Sequence, residues 1–261
     1  MHSLAEGALA VLTSATDKVA LTNQAASLWR AGGWPVGTLG LAPERPARPQ
    51  RPLLQSASHM PQRRITRGTA GRIGLLHALA HIELNAIDLA WDMVLRFGQG
   101  MPTAFLSDWV HVAEEEALHF ALLAARLAEL GAAYGDLPAH DGLWEAAQDT
   151  ANDRLARLAV VPMVLEARGL DVTPQMIQRL AEVEDQASAG ILQRIHDDEI
   201  GHVAIGLTWF HHEATSRGLT PATAWQEAVR THFRGAVKPP FNHTSRSRAG
   251  FPAEWYEALA A

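Results

Sequence analysis

One pattern occurs twice in this chain: Glu115-Glu116-Ala117-Leu118-His119 and Asp198-Glu199-Ile200-Gly201-His202 both read acidic–Glu–x–x–His. Residues i and i+3 share one face of a helix, so a carboxylate and an imidazole in this spacing can grip the same ion. A single Glu-x-x-His arises readily by chance. Two copies with matching acidic flanks constrain the fold far more, and a further glutamate stands at the same distance before each. The interval from Glu83 to Glu116 equals the interval from Glu166 to Glu199 (116 − 83 = 199 − 166). The second half therefore repeats the first at a constant offset, as expected of a duplicated helical hairpin.

In an antiparallel hairpin, facing residues lie equally far from the turn. The midpoint of positions 83 and 116 is 99.5, inside Gly98-Gln99-Gly100. The midpoint of 166 and 199 is 182.5, at Glu182-Val183-Glu184-Asp185. A more obvious break lies earlier, at Gly169-Leu170-Asp171-Val172-Thr173-Pro174. Reversal there would put Glu199 roughly 30 Å out of step with Glu166, at about 1.5 Å per residue. The expectation is therefore that 169–174 only interrupts the third helix and that the chain reverses near 182–186.

The six residues Glu83, Glu116, His119, Glu166, Glu199 and His202 form a donor set of four carboxylates and two imidazoles. In a four-helix bundle, one Glu from each of two helices and Glu-x-x-His from each of the others is the di-iron or di-manganese carboxylate arrangement. Four carboxylates offset the charge of two divalent ions, which makes their burial tolerable. Surface charges or interhelical ion pairs would give the same letters. The neighbours Leu79, Ile82, Leu84, Leu118, Phe120, Val164, Leu165, Ile200 and Val203 are apolar, however, and favour a buried site. The chain has no cysteine, so disulfides, thiolate metal sites and a cysteine nucleophile are excluded. The oxygen-rich donors that remain suit two iron ions, or manganese, better than zinc.

Glu115 and Asp198 are candidates for outer carboxylates that orient the ligand histidines, or for exposed helix charges. His77 and His81 share a face with Glu83 less cleanly and read as satisfied core or surface histidines. Trp91 and Trp109 read as core aromatics. Tyr134 is redox-relevant only if it lies near the metals, which its loop position argues against. Arg157 and Arg168 read as surface residues, with pairing to the surplus carboxylates as the alternative.

Apolar residues make up 48% of the 261, enough for a substantial core. The formal charge of −6 argues against a broad nucleic-acid footprint, leaving local basic clusters at Arg63, Arg64 and Arg67 and at Arg246 and Arg248. The first residues do not read as a signal peptide, and no apolar run reaches transmembrane length, so a cytoplasmic protein without membrane contact is expected. Residues 4–30 read as one amphipathic helix. Residues 31–62 hold Pro43, Pro46, Pro49 and Pro52 and read as an extended arm over the body or a partner subunit. Helices follow at about 69–97, 103–130, from 143, up to Gly218, and 221–234, the last with Thr220 as N-cap and Pro221 at its first position. A short helix near 252–260 closes an irregular tail. The organisation expected is all-α: residues 1–62 as N-terminal helix and arm, 63–218 as a four-helix bundle, and 219–261 as C-terminal helix and tail.

Five stretches resemble a bacterial ferritin-like family catalogued only as a domain of unknown function: His77 to Asp92, Glu115 to Phe120, Tyr134 to His140, Glu166 to Val172 and Asp198 to Gly206. The resemblance spans about 60–255, with Pro240 to Asn242 and Arg248 to Gly250 included. It implies a ferritin-like four-helix bundle with a dinuclear metal site, onto which the six matching residues carry over. It implies no settled reaction. More distantly, the metal pattern is similar to that of di-iron hydroxylases that modify tRNA. The expected function is a di-iron oxygenase or oxidase that uses O2 on a small organic substrate, with an electron-donor protein as partner. Alternatives from the same ligands are iron binding with ferroxidase chemistry, manganese-dependent peroxide dismutation, or a bundle that uses the site for stability alone. A homodimer is compatible with the arm.

Overall fold

The structure is a computed structural model describing residues 1–60 and 65–260; residues 61–64 and 261, and with them Arg63 and Arg64 of the basic cluster, lie outside the described residues. Regular structure among the described residues is helical, apart from two isolated bridges, Leu54 with Ala139 and Val237 with Ala260. The chain divides into two compact units, Met1–Trp144 and Glu145–Ala261.

The first unit is built on the hairpin of α3 (Thr69–Phe97) and α4 (Thr103–Glu129). Their connection, 98–102, contains the expected turn, and Gly100 supplies a positive φ of 76° there. By length and composition α3 is apolar enough to cross a membrane, although no uninterrupted apolar run marks it in the sequence. Most of that stretch is buried, as in the core helix of a packed body.

The single helix expected over 4–30 is two, α1 (Leu4–Thr13) and α2 (Lys18–Arg30). Ser14 turns extended, and its hydroxyl accepts from Asp17 N at 3.0 Å. Short polar side chains that bond nearby backbone in this way compete with the helix and end it. The break frees Lys18 to cross to α3, where its Nζ donates to Asp88 at 2.6 Å and to Val11 O at 2.9 Å, all of it buried. Burial pushes the Lys18 pKa down and the Asp88 pKa up, and their mutual attraction opposes both shifts.

The proline-rich arm lies along its own unit and answers its backbone needs. Leu4 N and Ala5 N, two of the four amides a helix start leaves without internal partners, donate to Pro35 O and Val36 O at 2.9 Å each. Glu6 N is taken by the hydroxyl of the N-cap, Ser3, at 3.3 Å. Further on, Gly40 N bonds Leu95 O, Arg96 bonds Pro43 O, and Arg48 reaches Asp88 and Asn85 on α3. The arm is thus fastened rung by rung to one polar edge of α3.

The second unit begins within α5 (Gly142–Asp149) and continues with α6 (Arg154–Val160), a π-helical segment (Val161–Glu166), α7 (Ala167–Glu182), α8 (Gln186–Ser216), α9 (Pro221–His232), α10 (His243–Arg248) and α11 (Ala253–Glu257). The chain reverses between Glu182 and Gln186, as the spacing of Glu166 and Glu199 requires. The interruption expected at 169–174 is absent. Helix α7 runs through Pro174, which leaves the carbonyl one turn earlier without its amide. That carbonyl, Leu170 O, accepts instead from Asn242 Nδ2 at 3.1 Å, a bond supplied by the tail. The irregularity lies upstream: Pro162 opens the π segment, and the wide turn ends at Glu166, so the count from Glu166 to the hairpin turn is undisturbed. Thr220 precedes Pro221 as expected, but its side chain makes no capping bond. Helix α10 has no counterpart in the sequence reading; Asn242 caps it by accepting from Ser245 N at 3.1 Å.

Arg157 corrects its surface reading. It is 1% exposed and donates to Thr150 Oγ1 at 2.8 Å and Ala147 O at 2.5 Å, closing the end of α5. In α8, Gly206 lies against the π segment so closely that an added Cβ would meet Pro162 Cβ at 2.4 Å. Gly206→Ala should therefore lower stability by about 1–3 kcal/mol through overpacking. Gly190→Ala, on the same helix with nothing within 4 Å, should raise it by about 0.5–1 kcal/mol through helix propensity. Urea unfolding of the two variants checks the opposite signs.

Candidate metal centre

In the first unit, α3 and α4 bring Glu83, Glu116 and His119 into contact. The hairpin register makes this happen, because 83 and 116 are equally distant from the turn. His119 Nδ1 stands 3.4 Å from Glu116 Oε2 and 3.6 Å from Glu83 Oε2. All three side chains are buried, Glu116 and His119 completely and Glu83 at 3% exposure. One ligand atom from each falls within 4.8 Å of the others, so the cluster can hold a metal ion. Separations of 3.4–3.6 Å are long for hydrogen bonds. They suit two donors on one cation with bonds of about 2.1 Å, the ion between them at an angle of roughly 110–120°.

The electrostatics agree. Glu83 holds its proton well above the usual carboxylate range, chiefly because it is buried and next because Glu116 lies beside it, while His119 opposes the shift. Burial alone would push the His119 pKa down; the two carboxylates outweigh it and push it up to about 11. In the metal-free protein a proton on the imidazole serves as the cation that these carboxylates require.

In the second unit the corresponding residues sit on two different elements. Glu166 ends the π segment, while Glu199 and His202 lie one turn apart on α8. His202 Nδ1 stands 3.6 Å from Glu199 Oε2, with His202 fully buried and the Glu199 side chain 12% exposed. Glu166 Oε2 is shielded from solvent. Helical periodicity does not reveal the π segment; Pro162, one turn before Glu166, is its one trace in the sequence. Such wide turns recur at functional sites because they re-aim side chains.

The flanking acids have ordinary partners on their own helices. Glu115 Oε2 stands 3.5 Å from His111 Nε2, and Asp198 accepts from Arg194 Nε at 2.5 Å. His81 is a satisfied core histidine as expected: Nδ1 pairs with Tyr134 Oη at 2.8 Å and Nε2 with His140 O at 3.1 Å. Burial, with help from Arg48, pushes its pKa down to about 4, so it is neutral at pH 7. His77 accepts from Gly135 N at 2.9 Å and stacks on Tyr134, which also meets Phe120 edge-on. Tyr134 is therefore held against the α3–α4 hairpin by its loop, an arrangement that its loop position alone does not suggest. Trp91 and Trp109 are buried core aromatics as expected.

Residues 12–257 match a family described as "Protein of unknown function (DUF455)". A Haemophilus influenzae protein named "Uncharacterized protein" is 44% identical over 209 residues, covering 78% of this chain and 72% of that protein. No solved structure matches the chain.

The raised His119 and Glu83 pKa values mean that the folded, metal-free state binds more protons than the unfolded chain. Stability must then fall as pH rises. For His119 the loss runs from about 6.5, its ordinary value, to about 11. The urea midpoint of metal-free protein should decline between pH 7 and pH 10. Glu83→Gln combined with Glu116→Gln, which removes both carboxylates facing the imidazole, should flatten that decline; an unchanged slope would contradict the assignment.

Proposed function

The chain belongs to the DUF455 family, and we propose that its two Glu, Glu, His trios serve one dinuclear metal centre in a ferritin-like four-helix bundle made from the two hairpins. Glu83, Glu116 and His119 would hold one ion and Glu166, Glu199 and His202 the other. The observation that carries the reading is the buried Glu83–Glu116–His119 cluster of the first unit, whose donor atoms lie close enough together to hold a metal ion. The equal spacing of the glutamates in the two halves supports extending it to the second trio. Oxygen and nitrogen donors without any thiolate favour iron, with manganese next.

When bound, such a pair of ions supplies redox equivalents for O2 chemistry. The protein's own part is to position and to protect. The carboxylates and imidazoles are anchored on long helices rather than loops, which fixes the donors. Leu84, Ala113, Ala117 and Leu123 on the same two helices are buried as well, so the trio sits in an apolar stretch of both. The imidazole proton of His119 must leave when a metal ion replaces it, so loading releases protons. We assign the activity to the class of di-iron oxygenases or oxidases acting on an unidentified organic substrate, with electrons from a donor protein. A tRNA substrate, suggested by the distant likeness to tRNA hydroxylases, is disfavoured by the −6 charge of the chain. Iron storage with ferroxidase activity and manganese-dependent peroxide dismutation use the same ligands.

Metal analysis of protein purified from its native host tests the proposal. The expected result is two metal ions per chain, mainly iron, and an optical spectrum that changes when iron and O2 are added to metal-free protein. Glu116→Ala and Glu199→Ala should each lower the metal content by one ion or more. A wild-type protein that is metal-free and stays colourless with iron would sink the reading, and a lowered melting temperature with metal content unchanged would reduce the residues to structural ones.

A further inference from the structure

A cavity of about 150 Å³ lies within the second unit, with Met163, Val164 and Leu165 of the π segment as one wall. Trp225, Phe233 and Phe241 supply aromatic surface, and Arg168, Asp171, Lys238 and Arg246 supply the charges. A purely apolar cavity of about this size accommodates one benzene ring.

The charges around it are unbalanced. Three cations face one carboxylate, so the lining carries 3 − 1 = +2 in a chain whose net charge is −6. Asp171 is committed: it accepts from Arg246 Nε at 2.9 Å and Nη2 at 2.7 Å, and from Asn242 N at 2.9 Å. Arg246 is 3% exposed, and its guanidinium stands 4.4 Å from the Tyr256 ring centroid. This pair is a fixed floor rather than a free charge. Arg168 Nη1 donates to Lys238 O at 2.9 Å and Pro240 O at 3.2 Å, holding the rim segment in place. Its carboxylate contact among the described residues is a long one, 3.5 Å to Asp171. Lys238 is exposed and has no ion pair among the described residues.

We propose that this cavity binds a small organic monoanion: a ring-sized apolar body against Trp225, Phe233 and Val164, and an acidic group toward Lys238 and Arg168. The apolar walls account for the body, and the surplus positive charge at the rim accounts for the anion. Leu165 in the wall directly precedes Glu166, and the cavity would serve as the substrate pocket of the metal centre; that role, unlike the binding itself, rests on the reading under Proposed function.

Calorimetric titration of metal-stripped full-length protein with benzoate is the test. We expect one site per chain, binding of the neutral isostere benzamide at least tenfold weaker, and Lys238→Ala weakening benzoate about tenfold. Ala236→Trp, which fills the cavity from an exposed lining position, should abolish binding while circular dichroism stays that of the wild type. No binding at millimolar benzoate, or binding that ignores both substitutions, overturns the proposal. Glu116→Ala protein should bind benzoate as the wild type does. The two readings therefore fail separately: a metal-loaded protein without benzoate binding loses only the pocket, and a metal-free protein that binds benzoate loses only the centre.

Discussion

Two carboxylates, Glu83 and Glu116, are buried beside each other in the first unit, and much of what surrounds them follows from that cost. A buried carboxylate pair is expensive unless a cation or a proton joins it. His119 provides the proton when nothing else is bound, at 3.4 and 3.6 Å from the two. Such a cluster is a poor device for stability, since apolar residues of similar volume would serve the helices as well or better. Its persistence in the core is physically sensible if a metal ion displaces the proton.

The cost also explains how the first unit is organised. Helix α3 carries two kinds of buried polarity: Glu83, matched by α4, and a polar edge of His77, His81, Asn85, Asp88 and Asp92. The edge is satisfied by segments far away in sequence. Lys18 and Arg48 neutralise Asp88, Arg48 also reaches Asn85, and the 134–140 loop closes on His77 and His81. The arm is thus a hydrogen-bonding and charge partner for a helix that would otherwise bury unpaired groups. In the second unit the tail plays the corresponding part. Asn242 takes the carbonyl freed by Pro174, and Arg246 pairs with Asp171 under a ring of aromatic side chains.

The long helices and both hairpin turns are legible in the sequence because they rest on local rules: 3.6-residue periodicity, glycine at the first turn and equal ligand spacing about each midpoint. The trio of Glu83, Glu116 and His119 is legible for the same reason, since register on two antiparallel helices is arithmetic. Other features escape such rules. An isolated arginine ordinarily sits at the surface, yet the partners of Arg157, a carbonyl and a hydroxyl at the end of α5, belong to a break that periodicity does not reveal. The 169–174 stretch reads as an interruption because Pro174 removes a helical bond. Nothing local announces that Asn242, in the distant tail, restores it.

The sequence by itself determined the helical class, the hairpin register and the donor chemistry, because each depends on spacing along one chain and on residue type. It also determined that any metal here must be held by oxygen and nitrogen, since no cysteine is present. Tertiary structure decided where the helices break, where the π segment lies, and which charges are buried with partners. It also decided that the tail would enclose an apolar cavity with surplus positive charge. Those features depend on groups distant in sequence meeting in space, and the free energy of burying a polar group is set by the partner it meets rather than by its neighbours in the chain.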